Sequence, residues 1–579
     1  MSERWDRRAR RADSLAPRQP IRIDGAGKQA FEDSRVRLLI TAALFGVAFV
    51  VIGLRLVQLG LYQNPVEPRT AANDSPTPNF ERADIVDRNG VPLATNLETQ
   101  SLYANPSKVL DAKEATDKLV LTFPDLDRDD VYRKLTSGRE FVWLKRKMTP
   151  RQAALVPQLG IPGVWYEPEM QRVYPQGRLA AHVLGMVDID NKGTAGIERY
   201  FNARLNDPAF ADKPLMLSID MRVQHAIRDE LAAAIANFKA LGGAGIVMDV
   251  HTGEILAMVS LPDYDPNNPG AAPADARFNR VTLGVYEMGS TFKIFNTAMA
   301  LESGIVHMSD KFDATEPLHV ARFTINDDHP KKRWLTVPEI FVYSSNIGSA
   351  EMALKVGGDW QRSFLQSMGL TRQEDVELPE IGTPLYPTRW SDIATMTIAY
   401  GHGMAVTPLH LATAASAIIN GGILHRPTLV KIPDGKEPEG KRVISAETSE
   451  EIRGLMRLVV EMGTGRQAEV PGYIVGGKTG SAEKPSQSGY RIHALVSSFV
   501  GAFPMDNPRY VVLAMIDEPH GTKATYGYAT AGWTAAPVVG RVIERIASIL
   551  DLSPRNHFVD PDAQRLASLV QGGAKESDE

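Results

Sequence analysis

The chain has 579 residues, too many for one ordinary domain and enough for about three to four. Its 43% hydrophobic and 23% charged residues are typical of folded protein. A net charge of −5 and the lack of a basic, aromatic-interleaved cluster in the main body set nucleic acid aside as a partner, and the absence of cysteine excludes disulfides, thiolate metal sites and a cysteine nucleophile.

Residues 1–37 hold ten Lys/Arg against six Asp/Glu and read as a charged, unstructured tail. From Leu38 to Leu54 no residue is charged, and beyond Arg55 the apolar pattern resumes through Leu61. With Arg55 snorkelling to the interface, residues 38–61 are long enough for a transmembrane anchor. Few basic residues follow the span, so the tail is expected in the cytoplasm and the remainder outside it. Prolines 65, 68, 76 and 78 mark a linker. The stretch to residue 215 mixes short strands and helices with turn signals such as Asp87-Arg88-Asn89-Gly90. It offers no Ser, His or carboxylate constellation, so residues 62–215 read as a linker and a spacer or docking module.

From residue 216 to 553 the pattern is that of a second, larger domain. Val223, Ile227, Leu231 and Ile235 stand at helical spacing within Arg222–Lys239. Gly242–Ser260 reads as two strands joined at His251-Thr252-Gly253. Helices follow, then strand–turn–strand patterns from Gly472 to Ile516 and a helix near Pro537–Leu550. Strands at both ends with helices between predict an α+β fold, one antiparallel sheet packed by helices. Residues 554–579 read as a polar tail.

Three short motifs occur in this second domain in a fixed order: Ser290-Thr291-Phe292-Lys293, then Ser344-Ser345-Asn346, then Lys478-Thr479-Gly480. Gly289 permits a tight turn, after which Ser290 opens a helix whose positive end favours developing negative charge. Lys293 lies one turn on, on the same face. A hydroxyl needs a base within reach, and an ordinary lysine, with a pKa of about 10.4, is neutral in roughly one molecule in a few thousand at pH 7. Burial or a nearby cation must therefore depress Lys293, and Lys478 is the candidate cation. Ser344 is placed as a proton relay to a leaving amine, and Asn346 as holder of the Lys293 amine and of a substrate peptide group. Lys478, with the Thr479 and Ser481 hydroxyls, suits a terminal carboxylate. Gly480 would let a substrate backbone approach the strand edge. The backbone N–H groups of Ser290 and Ser481 would form an oxyanion hole.

These three motifs together are the signature of penicillin-binding proteins and class A β-lactamases. Val285–Lys293 resembles the nucleophile segment of class B penicillin-binding proteins, with Met288 where many members have proline. Lys478-Thr479-Gly480-Ser481-Ala482 is similar to their KTGTA, and Arg82–Gly90 to their RGxIxDRNG. Arg172, Tyr174, Pro175, Gly185, Gly193, Gly196 and Glu198 match their pedestal motifs, and Gly401-His402-Gly403 with Thr407-Pro408 the segment before the last motif. The pattern is most like the division-specific type.

The resemblance implies a transmembrane helix, an elongated pedestal (dimerisation-type) domain and a transpeptidase domain with a five-stranded antiparallel sheet. It implies a serine D,D-transpeptidase that uses D-Ala-D-Ala stem peptides, is inhibited by β-lactams, and needs no cofactor or metal. The implied location is the inner membrane, with the catalytic domain periplasmic. The implied partners are a lipid-linked glycan polymerase and other division membrane proteins. Glu198 and Arg172 are expected to stabilise the pedestal rather than to catalyse.

Overall fold

The computed structural model describes residues 39–55, 82–320, 323–486, 489–555 and 565–570, in two compact units, Met1–Thr77 and Pro78–Glu579. In the first unit residues 39–55 form a helix, about 26 Å long at 1.5 Å per residue. Among the described residues no helix is long and apolar enough to cross a membrane. The rest of the expected anchor, residues 38 and 56–61, lies outside the described residues, as do residues 1–37 and 62–81.

The second unit begins with a mixed sheet of strands β1 (Ile85–Val86), β2 (Pro92–Ala104), β3 (Val142–Met148), β4 (Val164–Val173) and β5 (Leu215–Met216). β2 is its backbone, pairing with β1, β3 and β4, while β5 returns parallel to β1. The expected Asp87–Gly90 turn joins β1 to β2. Asp87 Oδ1 accepts from Asn89 N and Val91 N, each at 2.8 Å. Leu102 and Ala104 face a small core with Leu119, Phe123 and Leu144.

The resemblance motifs here converge on one buried carboxylate. Glu198 accepts from Arg82 Nε and Arg172 Nε, both at 2.7 Å, and its carbonyl accepts from Arg82 Nη2 at 2.8 Å. All three residues are buried. Burial of any one of these charges alone would be costly, so the triad holds three distant segments in register.

The sheet of the second, larger domain follows the predicted pattern. Helix α1 (Met221–Phe238) leads into β6 (Gly242–Asp249) and β7 (Ile255–Leu261), and the chain returns much later through β8 (Gly476–Ser486), β9 (Gly489–Phe503) and β10 (Tyr510–Asp517). The order is β8-β9-β10-β6-β7, antiparallel throughout. Val511, Leu513 and Met515 face one core, while Val512, Ala514 and Ile516 face the other. Both faces are covered, which is why β10 reads as an unbroken apolar run rather than an alternation. Ile227 and Leu231 of α1 and Val539 and Val542 of the last helix (Ala535–Ile546) cover one face. The segments between β7 and β8 cover the other. They include α2 (Lys293–Glu302), α3 (Val337–Tyr343), α4 (Asn346–Val356), α5 (Pro408–Ile419) and α6 (Ala446–Glu461). β8, which carries Lys478-Thr479-Gly480, is left at the sheet edge.

One segment departs from its expected character. Within the tail read as polar, residues 565–570 form a helical turn, and Leu566 and Val570 are buried in the main core. Their spacing of four residues puts both on one face.

Removing the shared carboxylate of the pedestal triad leaves two buried guanidinium groups without their common partner, with Asp84 still 4.0 Å from Arg172. Glu198→Ala is therefore expected to cost about 3–5 kcal/mol of stability, read as a lower urea midpoint. An unchanged midpoint would mean that the triad is solvated and structurally idle.

Candidate active site

Ser290 sits on a single 3₁₀ turn, Gly289–Phe292, that runs directly into α2. The α-helix itself thus starts at Lys293, three residues later than the simplest reading of the motif. Gly289 has φ +54°, and a Cβ there would lie 2.6 Å from the Ser481 carbonyl oxygen. Only glycine allows both the left-handed backbone and this contact. The nucleophile turn is thereby pressed onto β8.

The Lys293 amine donates to Ser290 Oγ at 2.9 Å, to the Ser344 carbonyl at 2.7 Å, to Ser344 Oγ at 3.1 Å and to Asn346 Oδ1 at 2.7 Å. Ser344 reaches it twice because this residue ends α3 in the left-handed conformation, φ +59° and ψ 42°. Such backbone strain in a residue other than glycine costs on the order of 1–3 kcal/mol and persists where surrounding structure enforces it. Ser345 then caps α4, accepting from Gly348 N at 3.0 Å.

From the other side, the Lys478 amine donates to Ser344 Oγ at 3.0 Å. The Ser344 hydroxyl therefore lies between two lysine amines. Both lysines are 0% exposed, while Ser290, Ser344 and Asn346 keep part of their surface in solvent. The amines are sealed beneath the hydroxyls that a substrate would meet.

This burial sets the electrostatics. Loss of hydration lowers Lys293 to about 7, and the Asp327 and Asp328 carboxylates hold it up against a further fall. Lys478 is lowered by burial first and by the Lys293 charge second. Of the two causes expected from the sequence, burial and a nearby cation, desolvation is thus the leading reason that Lys293 can be neutral near pH 7.

Two further predicted residues have close neighbours. A Cβ on Gly480 would collide with the Met288 carbonyl and lie 2.8 Å from Thr291 Cγ2. The side of Gly480 on which a Cβ would stand is therefore filled by the nucleophile turn, while β8 keeps its place at the sheet edge. One Asn346 Nδ2–H already donates to the Asn326 carbonyl at 2.9 Å, which leaves at most one amide donor for a peptide. The hydroxyls also have local partners. Thr479 Oγ1 meets Thr464 Oγ1 at 2.6 Å, and Ser481 Oγ accepts from Ala531 N at 3.0 Å.

Asp327 and Thr464 were not singled out from the sequence. The Asp327 carboxylate accepts from Ser345 Oγ at 2.7 Å, Asn346 N at 2.6 Å and Ile347 N at 3.0 Å. It thereby fixes the start of α4 and the pose of Asn346, and it is the leading charge that favours the Lys293 ammonium. Only Asp327-Asp328 as a charged pair ahead of the second motif hints at it.

A cavity of about 420 Å³ opens beside Asn346, walled by Asn326, Thr397, Tyr400 and His402. A second, of about 520 Å³, is lined by Tyr286, Tyr386, Glu483 and Lys484, and Gly403 borders both. The turn between them is tied to the nucleophile segment by Gly403 N donating to Glu287 Oε1 at 2.9 Å and Gly289 N to the Gly401 carbonyl at 3.2 Å. Among the described residues no group of three or more His, Asp or Glu side chains is arranged to hold a metal ion. The constellation can activate a hydroxyl with a buried amine and pass a proton along a second hydroxyl.

Comparison with known proteins agrees. Residues 243–544 match the penicillin binding protein transpeptidase domain, and residues 78–207 the penicillin-binding protein dimerisation domain. The chain is 41% identical to the probable peptidoglycan D,D-transpeptidase FtsI of Caulobacter vibrioides, over 91% of each chain. It is 30% identical to peptidoglycan D,D-transpeptidase FtsI of Escherichia coli K12, covering 83% of this chain and 86% of that one. Among solved structures it matches the transpeptidase domain of penicillin-binding protein 3 from Burkholderia pseudomallei. There the TM-score is 0.53 and the identity 34%, over 58% of this chain and 97% of that one. The fold also matches penicillin-binding protein 3 of Mycobacterium tuberculosis complexed with aztreonam. That match has a TM-score of 0.65 at 24% identity, over 82% of this chain and 97% of that one. The chain belongs to the class B penicillin-binding proteins, with a dimerisation domain ahead of a transpeptidase domain.

Proposed function

We propose that this protein is a septal peptidoglycan D,D-transpeptidase that cross-links stem peptides through an acyl-enzyme on Ser290. The observation that carries the proposal is the Lys293 amine, fully buried and within 2.9 Å of Ser290 Oγ. A neutral amine has two N–H bonds and one lone pair. The Ser344 carbonyl and Asn346 Oδ1, each at 2.7 Å, can only accept, so they take the two N–H bonds. The lone pair is then left for the Ser290 proton.

In this mechanism Ser290 Oγ attacks the penultimate D-Ala carbonyl as its proton passes to Lys293. The backbone N–H groups of Ser290 and Ser481 receive the oxyanion, each worth about 3–4 kcal/mol in the transition state. The proton travels through the Ser344 hydroxyl to the departing amine, and the C–N bond breaks to release D-Ala. A second stem-peptide amine then attacks the ester, its proton returns along the same path, and Ser290 Oγ is restored. Lys478, Thr479 and Ser481 anchor the donor carboxylate, with Lys478 supplying charge from beneath. β-Lactams mimic the donor and acylate the same oxygen.

The septal assignment is supported by the similarity to the relatives named FtsI. We further place the protein in the inner membrane, anchored by residues 38–61 with the transpeptidase domain in the periplasm. The uncharged run and the basic residues that precede it support this placement. The partners proposed there are a lipid-linked glycan polymerase and other membrane proteins of division.

Four outcomes are expected. Ser290→Ala abolishes covalent labelling by fluorescent penicillin, and labelling equal to that of the parent would end the proposal. The second-order acylation rate rises with pH through about 7 as Lys293 loses its proton. Asp327→Asn removes a carboxylate that favours the ammonium, so its pH profile shifts to lower pH. A flat profile in the parent would exclude Lys293 as the base. Stability carries a matching signature. Between about 7 and the ordinary value of 10.5 the unfolded chain holds a proton on this amine that the folded chain lacks. Stability therefore rises with pH across that window, and Lys293→Met flattens the rise in a denaturation series.

A further inference from the structure

Edge strand β8 runs on past the last motif through Ala482, Glu483 and Lys484, a stretch that the catalytic chemistry does not use. Glu483 and Lys484 line the cavity of about 520 Å³, with Tyr286, Glu287 and Tyr386 on its other walls. The cavity borders on both catalytic segments, since Glu287 stands three residues before Ser290 and Glu483 two residues after Ser481. Gly289 packs against the Ser481 carbonyl, so the two segments touch.

The other charges at this cavity are committed. Lys484 donates to Asp517 Oδ1 at 2.7 Å and to Glu518 Oε1 at 2.8 Å. The Glu287 carboxylate accepts from Gly403 N at 2.9 Å and pairs with His402 Nδ1 at 3.2 Å. Burial raises the Tyr286 hydroxyl, which stays neutral. The half-buried Glu483 carboxylate makes no hydrogen bond or ion pair with any of the described residues. A carboxylate taken partly out of water gains from a cation beside it. Strand geometry then fixes what lies next to Glu483. In the mechanism above the scissile carbonyl sits at the Ser481 N–H. Alternate residues of an edge strand direct their N–H and C=O groups the same way, so those of Glu483 face the same edge as those of Ser481. A donor peptide with its terminal carboxylate at Lys478 and Thr479 runs antiparallel to β8, towards Glu483. The residue before its penultimate D-Ala falls beside Glu483, about 7 Å beyond Ser481 at about 3.3 Å per residue.

We propose that Glu483 selects donor peptides whose residue before the penultimate D-Ala carries a side-chain ammonium, which the cavity receives. The proposal rests on the transpeptidase reading. Cross-linking joins one stem peptide to an amine of another, so a peptide that serves in both roles brings that amine to the donor side as well. There it meets a carboxylate with no other partner. An acidic side chain in its place would face Glu483 and Glu287, with Lys484 already engaged.

Three penicillins test this, acylated at the 6-amino nitrogen with N-acetyl-lysine, N-acetylnorleucine or N-acetylglutamate. The 6-acyl group stands where the preceding residue of the donor would. In the full chain the second-order rate of Ser290 acylation is expected to be about tenfold higher for the lysine compound than for the norleucine one, and lowest for glutamate. Glu483→Gln removes the difference between lysine and norleucine. Glu483→Lys reverses the order, so that the glutamate compound leads. The readout is a ratio of rates within one protein, which a general loss of activity does not move, and Glu483→Gln keeps the test open if Glu483→Lys fails to fold. Equal rates for the three compounds in the parent, or a lysine preference that survives Glu483→Gln, overturns the proposal and leaves the transpeptidase reading standing. Failure of all three to acylate Ser290 overturns that reading and this inference with it.

Discussion

The chemistry of this protein depends on removing one ammonium group from water. Lys293 is fully buried, and the loss of hydration makes its neutral form accessible near pH 7. A buried amine is stable only if its N–H bonds find acceptors, and Ser344 and Asn346 provide them. Those same contacts aim the amine at Ser290. Burial and aim are therefore one constraint, because the acceptors that make burial tolerable also determine the direction of proton transfer.

The rest of the fold can be understood as enforcement of that geometry. Ser344 is held in a left-handed backbone between α3 and α4, which directs both its carbonyl and its hydroxyl at the amine. Asp327 locks the start of α4 from outside. The nucleophile turn is clamped between β8 and the Gly401–Gly403 turn, with glycine at each close approach. At the opposite boundary, the pedestal is joined to the transpeptidase domain through polar contacts. Asp87 accepts from Met221 N at 3.2 Å, Asn89 donates to Asp220 at 3.1 Å, and Gly196 N donates to Glu380 at 3.3 Å. The first two bear on the start of α1, which packs directly on the catalytic sheet.

Much of this was legible in the chain. The strand–turn–strand pattern from Gly472 to Ile516, the helical spacing in α1 and the turn at His251-Thr252-Gly253 each report a local pattern, and each appears where expected. The three motifs identified Ser290, Lys293, Ser344, Asn346 and Lys478, and the fold gathers the first four around the Lys293 amine, with Lys478 joining them through the Ser344 hydroxyl. Arg82, Arg172 and Glu198 were legible as pedestal residues, though not as a single triad. Asp327 was not legible, because a carboxylate in a loop carries no periodic signal. Leu566 and Val570 were passed over because two apolar residues in a polar stretch suggest no core of their own.

The sequence by itself determined which residue types could do the chemistry and in what order the chain presents them. Only the tertiary structure decided why the lysine can be neutral near pH 7, since desolvation depends on everything packed around the amine and not on its neighbours in sequence. It also decided what packs against Gly480. A glycine announces that something comes close, but that the Met288 carbonyl is such a neighbour depends on a segment nearly two hundred residues away along the chain. Local pattern specifies what a residue is able to do, and long-range packing specifies what it meets.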